Sequence, residues 1–172
     1  APMISWGTSP EHAVGIDQCV PEDAPQRALD YIGLEKGTSL RGIRIDAAFI
    51  GSCTNSRLSD LRQAAALLRG KRVADGVKAI CVPGSSRVKR EAEAEGLDRV
   101  FVEAGFEWRE SGCSMCFYAG GESFGHGARV ASTTNRNFES RQGPNVKTHI
   151  ASPATVAASA LAGCLADPRE IT

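Results

Sequence analysis

No run in the 172 residues approaches the roughly 20 apolar residues that a membrane span needs. Neither charge sign is in excess, since twenty Lys and Arg balance twenty Asp and Glu. That balance removes any electrostatic case for nucleic acid or for an anionic membrane surface as a partner. The basic run at Arg87, Val88, Lys89 and Arg90 is followed at once by Glu91, Glu93 and Glu95. Such alternation marks a solvated helix face rather than a phosphate track. The opening residues carry neither a basic leader nor a long apolar stretch, so an export signal is not expected. Position 1 is not Met, as expected of a fragment or a processed product. Internal repeats and low-complexity segments are also missing. The composition, 42% hydrophobic and 23% charged, suffices for one globular domain with its own core, and a cytoplasmic location is expected.

The first forty or so residues are rich in Gly and Pro and read as irregular, with one short helix over 26–31. Residues 1–42 are taken as a lead-in from an upstream domain and 43–172 as the domain proper. From Ile43 a regular alternation begins. The run 47–50 is short, apolar and closed by Gly51-Ser52, the pattern of a buried strand. Leu58, Leu61, Ala65 and Leu68 then recur at three and four, which predicts a helix ended by Gly70. A second strand is predicted over 79–82. A helix capped by Ser85 or Ser86 follows and stops at Gly96, and a further helix covers 98–106. Strands at 128–132 and 148–151 come next. Ser152-Pro153 then opens a last helix that runs to Gly163. The expected fold class is α/β, a three-layer sandwich with a mainly parallel sheet flanked by helices. Ligands of such sheets sit beyond the carboxyl ends of the strands.

Six cysteines are present: Cys19, Cys53, Cys81, Cys113, Cys116 and Cys164. In a chain with an adequate core and no export signal they read as reduced thiols, which turns attention to metal binding. Cys53 lies between a strand and a helix, and Cys113-Ser114-Met115-Cys116 lies in a loop. Three thiolates without a fourth suit a four-iron cluster with one iron left open, because electron-transfer clusters are closed by four. An open iron binds a substrate hydroxyl as a Lewis acid. Two other readings of the same thiols stand beside this one: a thioredoxin-like redox pair, or a structural zinc site completed by His126 or His149. Cys81, inside an apolar run, reads as a small buried hydrophobe. Cys19 and Cys164 have no assigned role, and His126 reads as a loop residue.

Arg136 and Arg141, five apart in a polar loop after the 128–132 strand, invite carboxylate recognition, since the guanidinium fork matches a carboxylate with two bonds. The alternative is a pair of surface arginines matched to acids such as Glu139.

Three motifs occur in one order: Phe49-Ile50-Gly51-Ser52-Cys53-Thr54-Asn55-Ser56, Gly112-Cys113-Ser114-Met115-Cys116, and Asn135-Arg136-Asn137-Phe138 with Arg141. In that order they resemble the aconitase superfamily. Val82-Pro83-Gly84-Ser85, Ala104-Gly105-Phe106-Glu107-Trp108-Arg109 and the opening Trp6-Gly7-Thr8-Ser9-Pro10 resemble its isopropylmalate dehydratase branch. The resemblance covers nearly the whole chain and corresponds to the C-terminal third or so of a large subunit. It implies that Cys53, Cys113 and Cys116 hold a [4Fe-4S] cluster. It also implies that Arg136 and Arg141 bind carboxylates of a hydroxy-diacid substrate, with Asn135 beside the cluster. The implied reaction interconverts 2-isopropylmalate and 3-isopropylmalate by dehydration and rehydration. The acid and base groups would lie in upstream domains and on a separate small subunit, the implied partner. No catalytic acid or base is therefore assigned on this chain. The sequence departs from the branch after Cys116, where it reads Phe117-Tyr118-Ala119-Gly120-Gly121, and at Ser140, where the branch usually has Gly. Both departures leave a related diacid, homoaconitate or a methylated malate, as the alternative substrate.

Overall fold

The structure, a computed structural model, describes residues 3–6, 12–51, 57–109, 128–133 and 147–170. In chain order the elements are β1 (Met3–Ser5), β2 (Ala13–Gly15), α1 (Gln26–Ile32), β3 (Ala47–Ile50), α2 (Leu58–Leu68), β4 (Lys78–Cys81), α3 (Ser86–Ala94), α4 (Leu97–Ala104), β5 (Phe106–Trp108), β6 (Arg129–Ser132), β7 (Lys147–Ile150) and α5 (Pro153–Ala162). Strands β3 to β7 form one sheet in the order β5-β4-β3-β6-β7, and every pairing in it is parallel. This is the α/β class expected from the sequence, with helices flanking the sheet.

The central strand is buried at all four positions. Successive side chains alternate between faces. Ala48 and Ile50 therefore join Cys81, Ala131 and the helix residues Leu61, Ala65, Leu68, Val156 and Ala160 in the main core. Ala47 and Phe49 join Ile80, Val82 and Val130 in a second buried cluster on the opposite face. Burial on both faces is why these strands read as continuous apolar runs rather than alternating ones. Each buried Leu, Ile or Phe contributes about 1.5–3 kcal/mol.

Two expectations are corrected. The helix expected over 98–106 ends at Ala104, and Phe106–Trp108 is a further strand. Gly105 makes the break: its φ of 109° suits glycine, and a Cβ there would lie 2.8 Å from Val73 Cγ2. Phe106 then packs edge-on against Phe101 in the core. The lead-in is also less irregular than its composition suggests. β1 and β2 pair antiparallel, and Ile4, Trp6, Ile16, Val20, Leu29 and Leu40 belong to the same core as the sheet helices. Three-residue strands are too short to show a period in the sequence.

One buried node ties this segment to the sheet. His149 on β7 is fully buried, with Nδ1 2.7 Å from the Ser5 carbonyl and Nε2 2.7 Å from an Arg129 nitrogen. A carbonyl only accepts and a guanidinium only donates. The ring must therefore donate from Nδ1 and accept at Nε2, which fixes a neutral tautomer. Arg129 also donates to the Ile32 carbonyl at 2.8 Å. Burial, and then the Arg129 charge, push the His149 pKa down from its ordinary 6.5 to about 3.

A depressed histidine pKa stabilises the fold fully above pH 6.5, and that contribution is lost as pH falls from 6.5 towards 3. Between pH 7 and pH 5 the wild-type chain should lose about 2 kcal/mol more stability than His149→Gln, which does not titrate. Urea midpoints for both chains at the two pH values measure the difference. Equal losses would contradict the neutral buried imidazole.

Candidate functional site at the carboxyl edge of the sheet

Because the sheet is parallel, all five strands end along one edge. The ladder continues in register to that edge: Arg109 N donates to Cys81 O, Val82 N to Ile50 O, Thr133 N to Phe49 O and Ala151 N to Ser132 O, at 2.8–3.0 Å. Chain segments 52–56, 110–127 and 134–146 follow β3, β5 and β6 from this edge. Cys53, Cys113, Cys116, Asn135, Arg136, Arg141 and His126 all fall in these segments and lie outside the described residues. What the structure gives is the set of anchors from which those segments start.

The anchors of β3 and β6 are joined. Thr133, fully buried, uses one hydroxyl for both backbone groups of Gly51: Gly51 N donates to Oγ1 at 2.8 Å, and Oγ1 donates to Gly51 O at 2.7 Å. Position 51 has no room for a side chain, since a Cβ would lie 2.5 Å from the Phe49 ring. The β5 anchor is held differently. Trp108 packs on Phe101 and donates its indole N–H to Glu93 at 2.9 Å. Lys89 and then Trp108 hold the Glu93 carboxyl below its usual range.

The three remaining thiols are elsewhere. Cys81 is fully buried in the main core, and burial pushes its thiol pKa up, away from the thiolate a metal needs. Cys19 is exposed and pairs with Ser39 in the lead-in. Cys164 pairs with Arg44, which precedes β3 at the amino edge of the sheet. Every cysteine not placed in the core or away from this edge is thus carried by a segment that leaves the carboxyl edge. That donor set fits an iron–sulfur cluster with three thiolates. His149 is not available to a zinc ion, since both ring nitrogens are engaged inside the core. Among the described residues no group of three or more His, Cys, Asp or Glu could hold a metal ion. Among them, too, no helix is long and apolar enough to cross a membrane.

Thr133 and Gly51 were not separable from their neighbours in the sequence. Gly51 reads there as a strand terminator, and Thr133 only as the residue that follows the 128–132 strand. The hydroxyl that joins them spans 82 positions, and no local spacing signals it.

Comparison with known proteins gives a consistent result. The family model described as "Aconitase family (aconitate hydratase)" matches residues 1–163. The chain is 68% identical over 179 aligned residues to the 3-isopropylmalate dehydratase large subunit of Cupriavidus necator, covering 98% of this chain and 67% of that protein. It is 57% identical over 178 aligned residues to 3-isopropylmalate dehydratase large subunit 1 of Bradyrhizobium diazoefficiens, covering 98% of this chain and 37% of that protein. The chain therefore spans about two thirds of one relative and well under half of the other.

Proposed function

Since this chain belongs to the aconitase family, we propose that it is the cluster-ligating portion of a hydro-lyase of the 3-isopropylmalate dehydratase type, acting in leucine biosynthesis. The observation that supports this most is the common sheet edge from which segments 52–56, 110–127 and 134–146 depart. Neighbouring strands are about 4.8 Å apart, so the β5 anchor at Arg109 stands about 10 Å from the β3 anchor at Gly51. Four residues of chain reach about 13 Å, so Cys113 is within span of Cys53. The β6 anchor, one strand away on the other side, starts the segment with Asn135, Arg136 and Arg141.

In this reading Cys53, Cys113 and Cys116 hold a [4Fe-4S] cluster. The chemistry such a cluster supplies is Lewis acidity at the iron that lacks a protein ligand. Arg136 and Arg141 bind the carboxylates of a hydroxy-diacid and fix its orientation, with Asn135 beside the cluster. The substrate is 2-isopropylmalate or 3-isopropylmalate. The partner is a small subunit of the same enzyme, and the location is the cytoplasm. Residues 1–42 are the lead-in from an upstream domain.

The reaction needs an acid and a base, and both lie outside this chain. The isolated, cluster-loaded chain should therefore give no detectable turnover of 2-isopropylmalate. Adding the missing portion of the large subunit and the small subunit should restore it. Turnover by the chain alone would overturn the division of labour. Assay of the assembled enzyme with homoaconitate and methylated malates tests the substrate: faster turnover of either than of 2-isopropylmalate would displace the assignment.

A further inference from the structure

We propose that Thr133 is a positioning residue, whose hydroxyl sets the start of the Cys53 segment and ties it to the start of the Arg136 segment. The role assigned to Cys53 and Arg136 rests on the function proposed above, but the positioning itself does not. Gly51 is the last described residue before Cys53, two positions away. Its backbone cannot be steadied by a side chain of its own, because the Phe49 ring fills the space where a Cβ would be. Its N–H and C=O are both taken by the Thr133 hydroxyl, at 2.8 and 2.7 Å. That fixes the plane and direction of the chain at residue 51, not only its location. Thr133 is itself fixed, through its backbone N–H to Phe49 O at 3.0 Å and by complete burial. It stands two positions before Asn135 and three before Arg136.

One hydroxyl therefore references a thiol segment and a guanidinium segment to each other. A cluster ligand and a substrate-binding arginine need such a common reference, because a misplacement of about 1 Å at a reacting centre can cost about a hundredfold in rate. Valine has nearly the same shape as threonine and lacks the hydroxyl, whereas serine keeps it.

The test uses three chains: wild type, Thr133→Val and Thr133→Ser. In the iron-free state, the alkylation rate of each cysteine and the exchange rate of the Gly51 amide are measured by mass spectrometry and NMR. In Thr133→Val the Gly51 amide should exchange, and Cys53 should alkylate, at rates at least tenfold different from wild type. Cys19, Cys113 and Cys116 should stay within twofold, and Thr133→Ser should match wild type throughout. After anaerobic loading with iron and sulfide, Thr133→Val should lose iron to a chelator at least tenfold faster than Thr133→Ser. If Thr133→Val does not fold, Thr133→Ala is read the same way. Unchanged Gly51 and Cys53 rates would overturn the proposal. So would a common shift of all the cysteines with the melting temperature, which marks general loosening. If wild type binds no iron while the Gly51 and Cys53 effects appear, the cluster reading fails and the positioning role stands.

Discussion

Cys53→Ser should abolish cluster formation: iron after anaerobic loading should fall from about four per chain to near zero. Thiolates, not hydroxyls, are the ligands of iron–sulfur clusters, and three ligands leave none to spare. Cys113→Ser and Cys116→Ser should behave alike. The decisive contrast is Cys81→Ser. Cys81 is buried between β3 and β5 in the main core, with its thiol pKa pushed up by burial. That substitution should lower stability by about 1–3 kcal/mol, from a hydroxyl placed in apolar surroundings, and leave iron uptake intact. Uptake by Cys53→Ser equal to wild type would remove Cys53 from the ligand set.

The second large effect concerns recognition. In the assembled enzyme, Arg136→Met should lower kcat/KM by roughly 10²–10⁴. Two charge-assisted hydrogen bonds contribute about 1.5–3 kcal/mol each, and each 1.4 kcal/mol is tenfold. Arg136→Lys keeps the charge but not the fork, so it should recover part of the loss and not all of it. Iron content should be the same in all three proteins, which separates a substrate defect from a cluster defect. Full activity in Arg136→Lys would mean that a point charge suffices and that the two-bond geometry is not used.

Much of this was legible in the sequence because parallel strands leave a strong trace. The run 47–50 is apolar at every position because both faces of β3 are buried, and Ser152-Pro153 marked the start of α5 because a hydroxyl cap and a first-turn proline favour it. The Ser152 hydroxyl accepts from Thr155 N as that pattern requires. What was not legible depended on contacts distant in sequence. β5 follows a helix with one glycine between them, and only the pairing of Phe106, Glu107 and Trp108 with Ala79, Ile80 and Cys81 makes it a strand. The β1–β2 pair gains its stability from the core it covers rather than from any period of its own. At the site, the ordered motifs single out the thiols and arginines as candidates, which lie outside the described residues. That their segments start from one edge follows from the parallel sheet the sequence already suggested, but which of them are neighbours there lies in the strand order β5-β4-β3-β6-β7, which no local pattern encodes. The Thr133–Gly51 link was invisible for the same reason.

The proposed cluster requires three particular sulfurs to meet at one inorganic centre. Cysteine footprinting of the anaerobically loaded wild-type chain, with iron and acid-labile sulfide counted on the same sample, measures this most directly. The expected result is about four irons and four sulfides, with Cys53, Cys113 and Cys116 protected from alkylation and exposed Cys19 still reactive. A single zinc without sulfide, or Cys53 as reactive in the loaded chain as in the empty one, would contradict it.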